Sequence, residues 1–221
     1  MLWWRPRHGH ADSESLTDTE ATEYLRRQDP VLRRLIDALG PIDPAIDRRA
    51  SRPDPFIALA RAIVGQQVST KAAASIWAKF EAALGGDPSP QAVVEAEVEV
   101  LRGAGLSGAK AAYVRDLAEH VVSGELDLEG IADLGDEDVV ADLTEIKGIG
   151  RWTAEMFLIF HLGRPDVISA GDLGIRRAIE IAYELDDLPG PTDMERISDS
   201  WRPQRTLACL YLWRSLDNAP A

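Results

Sequence analysis

The 221-residue chain has a single cysteine, Cys209. One thiol cannot close an internal disulfide, and it cannot supply a four-cysteine iron–sulfur cluster. It lies in the apolar run Leu207-Ala208-Cys209-Leu210-Tyr211-Leu212, where a thiol serves as a small buried hydrophobe. No apolar stretch is long enough to cross a bilayer. The N-terminus, MLWWRPRHGHADSES, lacks the continuous apolar segment of a secretion signal. A cytoplasmic protein with no membrane partner is the expectation. Lysine is scarce: only Lys71, Lys79, Lys110 and Lys147 among 24 basic residues. Positive excess is missing too, since the formal net charge is −13, which at first sight argues against a nucleic-acid partner. The acid is unevenly spread, however. Thirteen acids and three bases lie between Val93 and Asp142, whereas Leu143 to Ile179 holds five bases and four acids. No segment shows the alternating period of a strand, and no internal repeat is present.

What is present is helical texture, and the fold class is all-α. Residues 1–16 are polar and without period, so they are expected to be flexible. Residues 17–221 are expected to form one domain of two helical subdomains, the first spanning roughly 56–150, the second combining 17–55 with 151–221. Apolar spacing and caps predict helices over 17–27, 30–39, 56–68, 70–84, 90–97, 97–103, 110–122, 128–134, 136–145, 173–184, 192–201 and 204–216, with a polar loop over 41–55. Ser69, Asp136 and Thr192 are read as N-caps of their helices.

The stretch around which these helices are arranged is LTEIKGIGRWTAEMFLIFHLGRPDVISAGDLGIRRAI, from Leu143 to Ile179. In its first turn Gly148 and Gly150 are free to take positive φ and to bring bare backbone close to another molecule. A helix follows at once, so its unpaired N–H groups and positive dipole end suit a phosphate. In its second turn Asp172 stands where another helix begins, a place that suits an N-cap as well as a catalytic acid.

The order and spacing of Ile146-Lys147-Gly148-Ile149-Gly150-Arg151-Trp152-Thr153-Ala154 and Gly171-Asp172-Leu173-Gly174-Ile175-Arg176 resemble the helix-hairpin-helix (HhH-GPD) DNA glycosylases, in particular the DNA-3-methyladenine glycosylase II branch. The resemblance covers roughly Pro55 to Leu216. Three further places carry it: Gly65-Gln66-Gln67-Val68-Ser69, Gly105 to Tyr113, and Trp201-Arg202-Pro203-Gln204-Arg205 with Ala208 and Trp213.

The resemblance implies two subdomains flanking a DNA-binding cleft, and an enzyme that flips a damaged base out of double-stranded DNA. It implies that Asp172 is the catalytic carboxylate and that Gln67 wedges into the gap left by the base. Ser107 and Lys110 would approach the DNA backbone, as would Lys147, Gly148, Gly150 and Arg151 of the hairpin. The carbonyls of Thr144, Ile146 and Gly148 would hold a Na+ or K+ ion, with no other cofactor required. Trp152, Met156 and Gln204 fall where relatives line the base pocket, while the C-terminal tryptophans read as structural. Relatives that also nick the strand carry a lysine where this chain has Trp152, so a monofunctional, monomeric hydrolase of alkylated purines is expected. Two readings remain beside it, a mismatch uracil or thymine glycosylase and a helix-hairpin-helix protein that binds DNA without chemistry.

Overall fold

A computed structural model describes residues 17–42 and 54–217. The expected flexible N-terminus, and positions 43–53 of the expected loop, lie outside the described residues. Among these residues the chain forms α-helices joined by tight turns and short 3₁₀ segments, with no strand. α1 (Asp18–Gln28) opens on a reciprocal capping box between Thr17 and Glu20, which satisfies two of the donors a helix start leaves unpaired. α2 (Pro30–Leu39) begins with Asp29 as cap and Pro30 in its first turn. Next come α3 (Pro55–Gly65), α4 (Thr70–Ala83), α5 (Pro90–Glu95), α6 (Val98–Gly103) and α7 (Gly108–Ser123). After them lie α8 (Asp136–Thr144), α9 (Arg151–Met156), α10 (Leu173–Ala182), α11 (Pro191–Ser198) and α12 (Arg205–Asp217).

Three local expectations change. The helix expected over 128–134 shrinks to one 3₁₀ turn, Ile131–Asp133. The Asp127 carboxylate just before it accepts the N–H groups of Glu129 and Gly130, which offers the backbone a turn in place of a helix. Gly135, not Asp136, caps α8, so Asp136, Glu137 and Asp138 all lie in its first turn, where acids favour the dipole. Likewise Gly190, not Thr192, caps α11, with Pro191 as its first residue.

Two apolar cores form. The first gathers α3 through α9, from Phe56 to Val167, and the second joins α1 and α2 to α10, α11 and α12. The division does not fall at residue 150. Ala154, Phe157, Leu158 and Ile159, all beyond the hairpin, belong to the first core. The hairpin is too short to carry α9 away, so α9 packs back on α8. The chain crosses between Val167, in the first core, and Ile175, in the second. Trp213 of α12 is half-buried against both cores. The seam between the cores therefore lies where Asp172 stands.

Candidate active site and nucleic-acid interface

Asp172 caps α10, its Oδ1 accepting the Ile175 backbone N–H at 2.8 Å. The cap and the candidate catalyst are thus one carboxylate doing both jobs. Oδ1 also accepts the indole N–H of Trp213 at 3.0 Å, and Oδ2 accepts that of Trp152 at 2.8 Å. All three donors are neutral, so they orient the group and leave its negative charge undiminished. Gly174 makes room for this arrangement. A Cβ there would stand 3.0 Å from Asp172 Oδ1 and 3.4 Å from the Trp213 ring.

The surroundings are aromatic and partly open. Trp152 is 50% exposed even though its indole holds Asp172. α9 runs on into a π-helical segment, Phe157–Leu162, a rare geometry that changes which side chains share a face. Phe160 of that segment is exposed and stacks on Trp213, with ring centroids 5.9 Å apart. Trp213, expected to be purely structural, is therefore bonded to the acid, and Phe160 was not singled out in the sequence at all. Its signal was there: Trp152, Met156 and Phe160 recur every four residues, the stripe of one helical face. Met156 is half-buried against the first core. Gln204 precedes the first turn of α12, nine residues before Trp213, a rise of roughly 13 Å along the helix. The segment beside it docks on the loop at 164–167 through Arg205 to Asp166 and Thr206 to Pro165.

The hairpin rests on α7. Asp116, a buried acid of α7, accepts the Lys147 backbone N–H at 2.9 Å and its ammonium at 2.7 Å. Burial pushes the Asp116 carboxyl up, but the Lys147 hydrogen bonds and the charges of Lys147 and His120 bring it below its ordinary value. Gly148 takes φ +86°, and its backbone presses against Tyr113. Gly150 departs from expectation. It has φ −96° and ψ 171°, extended backbone, and a Cβ there would meet nothing within 4 Å. Gly148 is thus required by the fold, whereas Gly150 keeps an outer surface bare at the start of α9.

Arg151 is held on two sides. Its guanidinium donates to both Glu137 oxygens, at 2.6 and 3.1 Å, and to Glu155 at 3.0 Å. Glu155 is buried, and its other oxygen accepts the Ser169 hydroxyl at 2.7 Å. Desolvation raises the Glu155 carboxyl above its ordinary value despite both partners. Ser169 in turn accepts the Asp172 N–H through its carbonyl, so a chain of contacts runs from the hairpin helix to the candidate acid.

Glu137 thus competes with any phosphate for Arg151. Glu137→Gln is expected to tighten binding to undamaged duplex at low salt. It should also steepen the fall of log Kobs with log salt by roughly 0.9, the contribution of one further phosphate contact. An unchanged slope in a binding titration over salt would place Arg151 away from the DNA.

The remaining candidates lie beside the hairpin. Gln67 is exposed and takes φ +56°, one of two described non-glycine residues with positive φ. Ser107 caps α7 by accepting the Lys110 N–H. The Lys110 ammonium, expected at a phosphate, donates instead to Val64 O at 2.7 Å and Gln66 O at 2.6 Å, the carbonyls that end α3. Of the expected cation ligands, Gly148 O accepts the Gln66 amide at 2.8 Å and Ile146 O accepts the Ile149 N–H at 3.0 Å. Each carbonyl retains a second lone pair, so with Thr144 O the set of neutral oxygens fits a hard monovalent cation.

Comparison with known proteins points to one family. Residues 60–204 match the model of the HhH-GPD superfamily of base excision DNA repair proteins. DNA-3-methyladenine glycosylase 1 of Schizosaccharomyces pombe is 34% identical over 200 residues, covering 89% of this chain and 87% of that protein. The structure of the 3-methyladenine DNA glycosylase of the same yeast, in complex with abasic DNA, superposes with a TM-score of 0.75 at 33% identity, over 90% of this chain and 97% of that one. The DNA-3-methyladenine glycosidase of Bacillus halodurans gives a TM-score of 0.80 at 36% identity, over 96% and 94% of the two chains. With its all-helical fold, its glycine hairpin and an acid at the seam of two helical cores, the chain belongs to the HhH-GPD superfamily of base excision DNA repair proteins.

Proposed function

We propose that this chain is a monomeric, cytoplasmic, monofunctional DNA glycosylase that hydrolyses the N-glycosidic bond of flipped-out alkylated purines, of the 3-methyladenine and 7-methylguanine type, in double-stranded DNA. The observation that carries the proposal is Asp172, a carboxylate fixed by three neutral donors at an open aromatic seam. As the base departs, positive charge develops on the deoxyribose. A preoriented carboxylate stabilises that charge more than the neutral ground state. The same group can orient and deprotonate the attacking water. Alkylation at a ring nitrogen makes the purine cationic and a good leaving group, so little acid catalysis is needed. An aromatic wall then suits the base, and the exposed face of Trp152 offers a cation–π contact on the order of 1–2 kcal/mol when desolvated. A uracil pocket would call for polar groups aimed at the base edge, and a pure binder has no use for the charge on Asp172.

Gln67 would fill the gap left by the base. The bare backbone at Gly150 and the start of α9 would seat a phosphate. A Na+ or K+ ion held by the carbonyls of Thr144, Ile146 and Gly148 would add fixed positive charge beside that seat. Water is the nucleophile, because the indole of Trp152 cannot form a Schiff base as a lysine amine would.

Incubation with methylated duplex is expected to release free 3-methyladenine and 7-methylguanine and to leave unbroken strands with abasic sites. Borohydride should trap no protein–DNA adduct. Release of uracil in place of the methylated purines would favour a mismatch glycosylase, and a trapped adduct would mean a lysine nucleophile.

A further inference from the structure

Gln67 holds a conformation that its own side chain does not favour. Positive φ is uncommon outside glycine and persists where the surroundings enforce it. The φ of Gln67 describes rotation next to the peptide plane that contains the Gln66 carbonyl. That carbonyl is gripped by the Lys110 ammonium at 2.6 Å, and the same ammonium grips Val64 O at 2.7 Å. The cation thus locks the peptide plane on which Gln67 turns, against the end of α3. Its amine also sits where a helix end concentrates negative partial charge, which favours the ammonium, while burial draws its pKa down. The side chain of Gln66 is tied in the opposite direction, donating to Gly148 O at 2.8 Å. Two anchors, one on α7 and one on the hairpin, therefore fix the Gln66–Gln67 turn.

We propose that Lys110 is a positioning residue for base extrusion: it contacts no DNA, and its grip on the Val64 and Gln66 carbonyls sets Gln67 in the pose that enters the duplex, with Gln66 fixing that pose relative to the hairpin. This rests on the reading of Gln67 as the wedge. Its consequence is that losing Lys110 damages recognition of a lesion in the same way as losing Gln67, and through the same step. Removing both then costs no more than removing one.

The test uses the full chain and three variants, Gln67→Ala, Lys110→Met and the double substitution. Each is titrated against a duplex bearing a tetrahydrofuran abasic analogue and against the matched undamaged duplex. A 2-aminopurine opposite the analogue reports entry of the wedge through its fluorescence. Gln67→Ala should lower the ratio of the two affinities roughly tenfold and abolish the fluorescence change. Lys110→Met should lower the ratio equally, and the double variant no further. If Gln67→Ala leaves ratio and fluorescence untouched, the wedge reading itself fails. If Gln67→Ala acts and Lys110→Met does not, the wedge stands and the positioning role is overturned. Additive losses overturn it as well, as does an equal fall in both affinities with Lys110→Met, which would make Lys110 a phosphate contact. Should Lys110→Met fail to fold, Gln66→Ala takes its place. A ratio lowered non-additively with Gln67→Ala supports the coupled turn, and an unchanged ratio overturns it.

Discussion

Asp172→Asn is expected to fold, to bind lesion-bearing duplex and to release base at least a hundredfold more slowly. The size follows from what is removed. Preorganised stabilisation of developing charge typically contributes ~3–4 kcal/mol to the barrier, or roughly 10²–10³ in rate. The substitution is less conservative than an N-cap alone would make it. Asn can keep an oxygen at the Oδ1 position, where Ile175 N–H and the Trp213 indole donate. Its amide nitrogen then faces the Trp152 indole, which donates to Oδ2 in the parent, and two donors confront each other. Trp152 is half exposed, so it can turn away, and the loss in stability should be about 1 kcal/mol. Trp152→Phe in the Asn background separates the two effects, because it removes the confronting donor. Thermal unfolding should show stability recovered in that pair, while single-turnover base release stays slow. Full turnover in the Asn variant would reduce Asp172 to a cap and leave the reaction without its centre.

The fold was legible where local signals are strong. The helices expected from 17 and from 30 and the Ser69 cap of α4 are each written in nearby residues, and each forms. The short turn at 131–133 was not, because one Asp127 side chain diverted a backbone whose apolar spacing still read as helix. The boundary between the two cores was misplaced for a related reason. Apolar residues on nearly every side of 151–162 show that most of this segment is buried, but not against which partner.

At the site, the order of hairpin and acid was readable because it is linear in sequence. The partners of the charged groups were not. Lys110, Arg151 and Lys147 look alike in sequence as cations near a DNA face, yet each donates to an acceptor of the protein itself. Apart from Glu155, four residues after Arg151, those acceptors lie 14 to 46 residues away in the chain. Trp213 meets Asp172 across 41 residues, a distance that periodicity cannot span. Gln204 shows the converse case: its motif places it near Trp213 in sequence, and the rise of α12 sets the two roughly 13 Å apart along the helix.

The two glycines of the hairpin should separate under substitution, although the motif treats them as a pair. Gly148→Ala is expected to unfold the hairpin region. At φ +86° an alanine is strained, and its Cβ would lie 2.2, 2.5 and 2.8 Å from atoms of the Tyr113 ring. That ring is packed against the first core and has little room to retreat. Overpacking and backbone strain together should cost about 3 kcal/mol, read as a lowered denaturant midpoint. Affinity for any duplex should fall with it, since an unfolded hairpin no longer presents the start of α9 to a phosphate. Adding Tyr113→Ala relieves the clash and not the backbone strain, so only part of the midpoint should return. Gly150→Val is the contrasting case. Its backbone is extended and the space around it open, so the midpoint should stay near that of the parent. What the new side chain obstructs is the approach of another molecule to the start of α9, so duplex affinity should drop with the fold intact. A Gly150→Val protein that binds undamaged duplex as tightly as the parent would move the interface off the hairpin.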